Sequence, residues 1–234
     1  MSEPKIKTAT NAWRWVEYLF LGAGILALAV CATGYLGGAA YQSWQNYSFE
    51  CRLQGTPPTL RSYLAYEGQR LVEAEEAWCG VGAEPATAAR ALPLRAQRRP
   101  AAVPDGLVGR LVIPLLHLGE IVREGDGEGT LSLALGHIPG TALPGQGGNV
   151  GVAGHRDTLF RSLRLIGKND RIQFQTLDGS YDYRVESVAI VKPTDVAVLA
   201  PGRHAELTLV TCYPFYFVGA APDRFIVKAR QVSP

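Results

Sequence analysis

The residues best suited to covalent chemistry lie in one run, Glu206 to Val227, which reads ELTLVTCYPFYFVGAAPDRFIV. Alternation places Leu207 and Leu209 on one face of a strand and Thr208 and Val210 on the other. The strand reaches Cys212 where Tyr213-Pro214 stops the ladder, because proline donates no backbone hydrogen bond. An aromatic loop with Gly and Pro follows, and Arg224 opens a second strand running to Val232. Such a pair of strands brings a thiol and a guanidinium to one end of a sheet. A cation beside a cysteine favours the thiolate, and a guanidinium can donate hydrogen bonds to the oxyanion of an acyl-transfer intermediate. The plainer alternative is a buried strand cysteine, with Arg224 paired at the rim to Asp223. Acyl transfer also needs a proton carrier. His117, His137, His155 and His204 are all available, and His137 and His155 both follow a glycine. Residue types alone leave that choice open.

The elements around this run are short. Strands are expected at Gly109–Pro114, Leu118–Val122, Asn149–Gly154, Asp170–Thr176 and Tyr181–Val191, the last two joined by the turn Leu177-Asp178-Gly179-Ser180. A helical turn is expected around Leu131–Ala134, a Gly/Pro-rich loop over Gly136–Ala142, and a short helix over Leu159–Ile166 capped by Asp157. Thr194–Ala205 reads as a longer connection. Seven or eight short strands with closely spaced turns favour a small antiparallel barrel or sandwich. Formal net charge is +2, and no Lys/Arg stripe is interleaved with aromatics, which argues against a nucleic-acid partner. The four cysteines, Cys31, Cys51, Cys79 and Cys212, form no CxxC pair, so a structural zinc is not expected. Asp126 and Glu128 are too sparse for a calcium site, and neither metal nor cofactor is expected.

The N-terminal part has a different character. Tyr18–Tyr41 carries no charge and would span about 36 Å as a helix, enough to cross a hydrocarbon core of roughly 30 Å. Aromatics flank it (Trp13, Trp15; Trp44, Tyr47), and Lys5, Lys7 and Arg14 precede it. The positive-inside rule then puts residues 1–17 in the cytoplasm, a single-pass anchor at 18–41 and the rest outside. A cleaved signal peptide is the competing reading, but the apolar run is long and lacks a clear small-residue cleavage site. Residues 42–106 read as an extracytoplasmic stalk. Within it, Thr59 caps a helix to about Ala77, Cys51 and Cys79 are a natural disulfide pair, and an Ala/Pro/Arg tether runs from Gly80 to Asp105. Residues 107–234 form the folded domain.

Three segments then become recognisable together. Val152-Ala153-Gly154-His155-Arg156-Asp157-Thr158, Leu207-Thr208-Leu209-Val210-Thr211-Cys212 and Pro222-Asp223-Arg224-Phe225 resemble, in order and spacing, the signature segments of sortases, membrane-anchored cysteine transpeptidases of bacterial surfaces. Gly136-His137-Ile138-Pro139-Gly140-Thr141 and the Thr-Leu-Val-Thr-Cys context look most like class D. The resemblance covers Leu107 to Val232. It implies an eight-stranded sortase-type β-barrel with short helices, and His155, Cys212 and Arg224 as catalytic residues. It further implies cleavage of a Leu-Pro-x-Thr motif, followed by Gly or Ala, after Thr, through a thioacyl enzyme resolved by an amine. Surface proteins bearing that signal, an amine acceptor such as a peptidoglycan precursor, and the bilayer would be the partners. The Thr194–Ala205 and Tyr213–Asp223 connections correspond to recognition loops. Val196, Val198, Leu199, Thr211 and Tyr213 are therefore the candidate substrate contacts, with core filling the alternative role for the first three. A cysteine hydrolase on the same scaffold, and a tethered barrel that binds or assembles with a structural Cys212, are the competing functions. The His-Gly-Cys context of L,D-transpeptidases is absent.

Overall fold

Alternating apolar residues build the sheet. In a computed structural model that describes residues 7–78 and 106–233, eight strands close into a barrel in the order β1-β2-β3-β4-β7-β8-β6-β5. They are β1 Leu107–Ile113, β2 Leu118–Glu124, β3 Leu135–His137, β4 Asn149–Ala153, β5 Arg171–Gln175, β6 Ser180–Val191, β7 Glu206–Tyr213 and β8 Asp223–Ser233. Leu111, Ile113, Val152, Phe174, Tyr183 and Leu207 fill the interior from five of these strands and belong to one contiguous core.

The sheet is mixed rather than purely antiparallel. β2 pairs with β3, and β4 with β7, in parallel register. The first of these pairings corrects the sequence reading: Leu135–His137 is a strand, so the loop begins only at Ile138. The turn before it, α3 (Glu128–Leu131), falls earlier than expected. The segment after β4 forms only a 3-10 turn at Arg161–Leu165, and no side chain caps it. Another 3-10 turn, Val196–Leu199, interrupts the long β6–β7 connection.

The N-terminal unit, residues 1–41, holds most of a long helix, α1 (Lys7–Gln54). Trp13 to Leu36 present exposed apolar side chains, and α1 is the one described helix long and apolar enough to cross a membrane.

The other unit, residues 42–234, contains the final turns of α1, the helix α2 (Leu60–Trp78) and the barrel. Thr59 caps α2, its hydroxyl accepting from Ser62 N–H at 3.3 Å. Residues 42–54, expected as part of a stalk, pack on the barrel instead. β3 covers β2 only from Val122 onward, which leaves the backbone of Gly119–Ile121 open on that side. Two amides one helical turn apart take its place. Gln42 accepts from Ile121 N–H at 3.1 Å, and Asn46 donates to Gly119 carbonyl oxygen at 3.1 Å. A helix face thus shields a strand edge that would otherwise pair with another chain. Phe49, fully buried, wedges against Leu107 and Ile121. Cys51 is buried; Cys79 and the 80–105 tether lie outside the described residues.

Burial of Glu120 in this region raises its carboxyl from the ordinary 4.5 to about 7, with Arg70 pulling the other way. A raised acid favours the protonated folded state. Its contribution is therefore present below about pH 4.5 and lost as pH rises through 7. Glu120→Gln should gain on the order of 2–3 kcal/mol relative to wild type at pH 8 and almost nothing at pH 4.5. Chemical denaturation at the two pH values checks this.

Candidate active site

β7 and β8 pair antiparallel with Cys212 directly opposite Arg224. Directly opposed residues share a face of the sheet. Here it is the outer face, because Leu207, Leu209, Phe225 and Val227 occupy the inward positions of the same two strands. On the other side of β7, β4 runs parallel, with Ala153 beside Val210. Gly154 N–H continues this pairing, donating to Val210 carbonyl oxygen at 3.1 Å, and His155 follows. Only glycine fits at this exit: a Cβ on Gly154 would lie 2.6 Å from Leu135 Cδ2 and 2.7 Å from Phe160 Cδ2. The Thr211 hydroxyl locks the same point by donating to Gly154 carbonyl oxygen at 2.7 Å.

Three strands therefore deliver His155, Cys212 and Arg224 to one cavity of about 340 Å³. Its floor includes Val210 and Ile226 from the outer face of β7 and β8, Val196, Val198 and Leu199 form one wall, and Ile138 and Leu131 also line it. An apolar cleft with a few polar groups at one end suits an extended peptide. Val196 is 72% exposed, so it stands on the rim and does not fill the core. Thr211 borders the cavity, but its hydroxyl is committed to Gly154. Tyr213 is not brought to the cavity. It stacks on Phe225 and packs edge-on to Phe215, extending the core beneath the β7–β8 loop.

The charges sort themselves differently from a simple rim pairing. Asp223 turns its carboxylate to Lys192 Nζ at 2.7 Å. Arg224 uses only Nη1 locally, donating to the carbonyls of Asp223 at 3.0 Å and Ala221 at 3.3 Å. A carboxylate faces His155: Glu128 of α3 lies 3.5 Å from Nε2, though 86% exposed. Asp157 caps nothing and accepts from Arg156 Nε at 3.0 Å. His137, the rival histidine, is buried and occupied at both ring nitrogens, by Glu124 at 2.8 Å and by Ala142 carbonyl oxygen at 3.0 Å. It is a structural hydrogen-bonder. Among the described residues no His, Cys, Asp and Glu gather into a metal-ligating group.

Asn149, which sequence reasoning passed over, braces one wall of the cavity. It is buried on the outer face of β4, where Thr208 Oγ1 donates to its Oδ1 at 2.7 Å. Its Nδ2 donates to Val198 carbonyl oxygen at 3.1 Å and to Ala200 carbonyl oxygen at 3.3 Å. One amide thus pins the Val196–Leu199 wall to the barrel. Asn149→Ala should raise KM for a peptide substrate by about 5–20-fold, since each lost bond to the wall is worth on the order of 1 kcal/mol. The rate of Cys212 alkylation should stay the same. Peptide kinetics beside iodoacetamide labelling checks both.

The family model of the sortase domain matches residues 111–232. Sortase D of Bacillus subtilis (strain 168) is 32% identical over 126 residues, covering 53% of this chain and 64% of that protein. Sortase A of Listeria monocytogenes is 29% identical over 112 residues, 46% of this chain and 50% of that protein. The chain therefore spans between half and two thirds of these relatives. Among solved structures, the Clostridium perfringens Sortase D5 transpeptidase superposes with a TM-score of 0.50 at 29% identity, covering 55% of this chain and 80% of that one. Sortase C-1 of Actinomyces oris gives 0.52 at 28% identity, with 56% and 76% covered.

Proposed function

The chain belongs to the sortase family, and from that premise we propose that it is a membrane-anchored cysteine transpeptidase acting on surface proteins with a C-terminal Leu-Pro-x-Thr-type signal. The observation that carries this reading is the convergence of Cys212, His155 and Arg224 on one apolar cleft from three adjoining strands. In this reading the signal lies extended along the Val196–Leu199 wall, with the Thr carbonyl at Cys212. The Cys212 thiolate attacks that carbonyl. Free donors of Arg224 hold the oxyanion. His155, as imidazolium, protonates the departing amine as the C–N bond breaks, leaving a thioester on Cys212. An incoming amine then gives up a proton to His155 and attacks the thioester carbonyl, forming a new amide and restoring the thiolate. The acyl group keeps its activation throughout, so no nucleotide is consumed.

α1 is the expected anchor, with its N-terminus cytoplasmic and the barrel outside. The amine could come from a peptidoglycan precursor, and the reaction does not depend on that choice. The test is to incubate the full chain in detergent with Leu-Pro-x-Thr-Gly and Leu-Pro-x-Thr-Ala peptides, with and without an amine, and to follow the masses. An adduct on Cys212 that becomes amide product, and is missing in Cys212→Ala, supports the transpeptidase. Acid product alone supports the hydrolase. A Cys212 that forms no adduct and resists iodoacetamide supports a structural cysteine in a binding module.

A further inference from the structure

Arg156 is only 7% exposed, and three of its four described hydrogen bonds go to one loop. Nη1 donates to Pro214 carbonyl oxygen at 3.0 Å. Nη2 donates to the carbonyls of Phe217 at 2.6 Å and Gly219 at 3.1 Å. Nε donates to Asp157 Oδ1 at 3.0 Å, and the guanidinium carbon lies 6.0 Å from the centre of the Phe217 ring. A buried charge of this kind is tolerated only when its donors are matched. Here three of the four matching acceptors are backbone carbonyls of a single loop, the one joining β7 to β8.

The position of Arg156 gives the clamp its meaning. It directly follows His155, while the loop it holds begins two residues after Cys212 and ends just before β8, where Arg224 sits. We propose that Arg156 is a positioning residue that ties the backbone of His155 to the loop behind Cys212 and Arg224; this rests on the transpeptidase reading of the same site. One guanidinium fixes the proton carrier against the strand ends that bear the nucleophile and the oxyanion donor. The loop needs such a tie. Tyr216 and Val218 at its tip are 78% and 96% exposed, and the neighbouring cleft is apolar. With the carbonyls released, those side chains would gain by folding toward the cleft, and His155 would lose its fixed register. Arg156 is not a catalytic residue in this reading, since each of its three nitrogens is engaged by the loop or by Asp157.

The test uses the full chain in detergent, wild type beside Arg156→Met and Arg156→Lys. Lysine keeps the charge and the stem but lacks the planar fork that reaches three carbonyls. Two readouts are taken: peptide turnover, and hydrogen–deuterium exchange of residues 215–220. Both variants should lower kcat by about 30–100-fold with KM within about threefold, as expected when a reacting group is misplaced by about an ångström. Amide exchange in the loop should rise at least about tenfold while the barrel strands stay protected. Lysine should not rescue either effect. If Arg156→Met fails to fold, Arg156→Lys alone decides. Turnover within twofold of wild type, or unchanged loop exchange in Arg156→Lys, overturns the proposal. A wild-type chain that forms no acyl adduct on any peptide, while Arg156→Lys still loosens the loop, retains the clamp and removes the transpeptidase reading.

Discussion

Cys212→Ser should abolish peptide turnover, lowering kcat/KM by at least about 10³-fold, while the barrel keeps its fold. A thiolate is an intrinsically strong nucleophile, whereas a serine hydroxyl needs a strong general base to react at all. In serine enzymes that base is a histidine held by a buried carboxylate. Among the described residues, His155 has no such buried carboxylate. Its carboxylate neighbour, Glu128, is 86% exposed at 3.5 Å, where an ion pair is worth at most about 1 kcal/mol. Nothing in this cleft would raise a serine to the reactivity of a thiolate. The fold survives because Cys212 is half-buried on the outer face of β7 and the two side chains differ little in size. The melting temperature should move by only a few degrees, in line with a change of about 1 kcal/mol or less. Kinetics, thermal melting and intact mass on the same sample separate these effects. Turnover retained by the serine variant would remove Cys212 from the chemistry.

Strand content was readable because alternation is local. Leu207 and Leu209, against Val210 and Cys212, announce an inner and an outer face before any partner is known. β3 was hidden for the opposite reason. It has three residues, two of which are Gly136 and His137, and it becomes a strand only by pairing with β2 and β4. The docking of residues 42–54 was hidden too. Gln42 and Asn46 look like ordinary polar helix residues until the open edge of β2 lies beside them. The three residues brought to the cleft could be named from motif resemblance, but the residues that hold them could not. Asn149 and Arg156 act through carbonyls of loops about 50 to 60 residues away, and a carbonyl leaves no mark in a sequence. A weak signal was present: Arg156 sits within the matched segment, and a charged residue between the end of a buried strand and a helical turn needs a partner. Tyr213 misled through its neighbourhood, since an aromatic beside a cysteine suits a cleft and a core equally well. Its place in the core follows from Phe215 and Phe225 stacking around it.

Arg224→Lys should lower kcat by about 10²–10³-fold, nearly as much as Arg224→Ala, with a smaller effect on KM. The reason lies in how the guanidinium is held. Nη1 alone bonds to the backbone, at Asp223 and Ala221, which fixes the plane of the group. Nε and Nη2 have no partner among the described residues, so two donors of a fixed fork are left for a ligand. The adjacent Asp223 carboxylate does not quench them, because it is held by Lys192. Loss of one preorganised donor at an oxyanion costs about 10²–10³ in rate. A lysine at position 224 keeps the charge, but its ammonium is a point on a flexible stem. It cannot hold the backbone carbonyls and present two directed donors at once. Charge alone therefore rescues little, and the lysine variant separates the two accounts of this residue. If Arg224 acted only by favouring the Cys212 thiolate, Arg224→Lys would keep most of the rate, and the pH profile of Cys212 alkylation would move in Arg224→Ala and not in Arg224→Lys. If it holds the oxyanion, both variants lose turnover, and Arg224→Lys does so with an alkylation profile like that of wild type. Measuring peptide turnover and alkylation against pH in both variants decides between them.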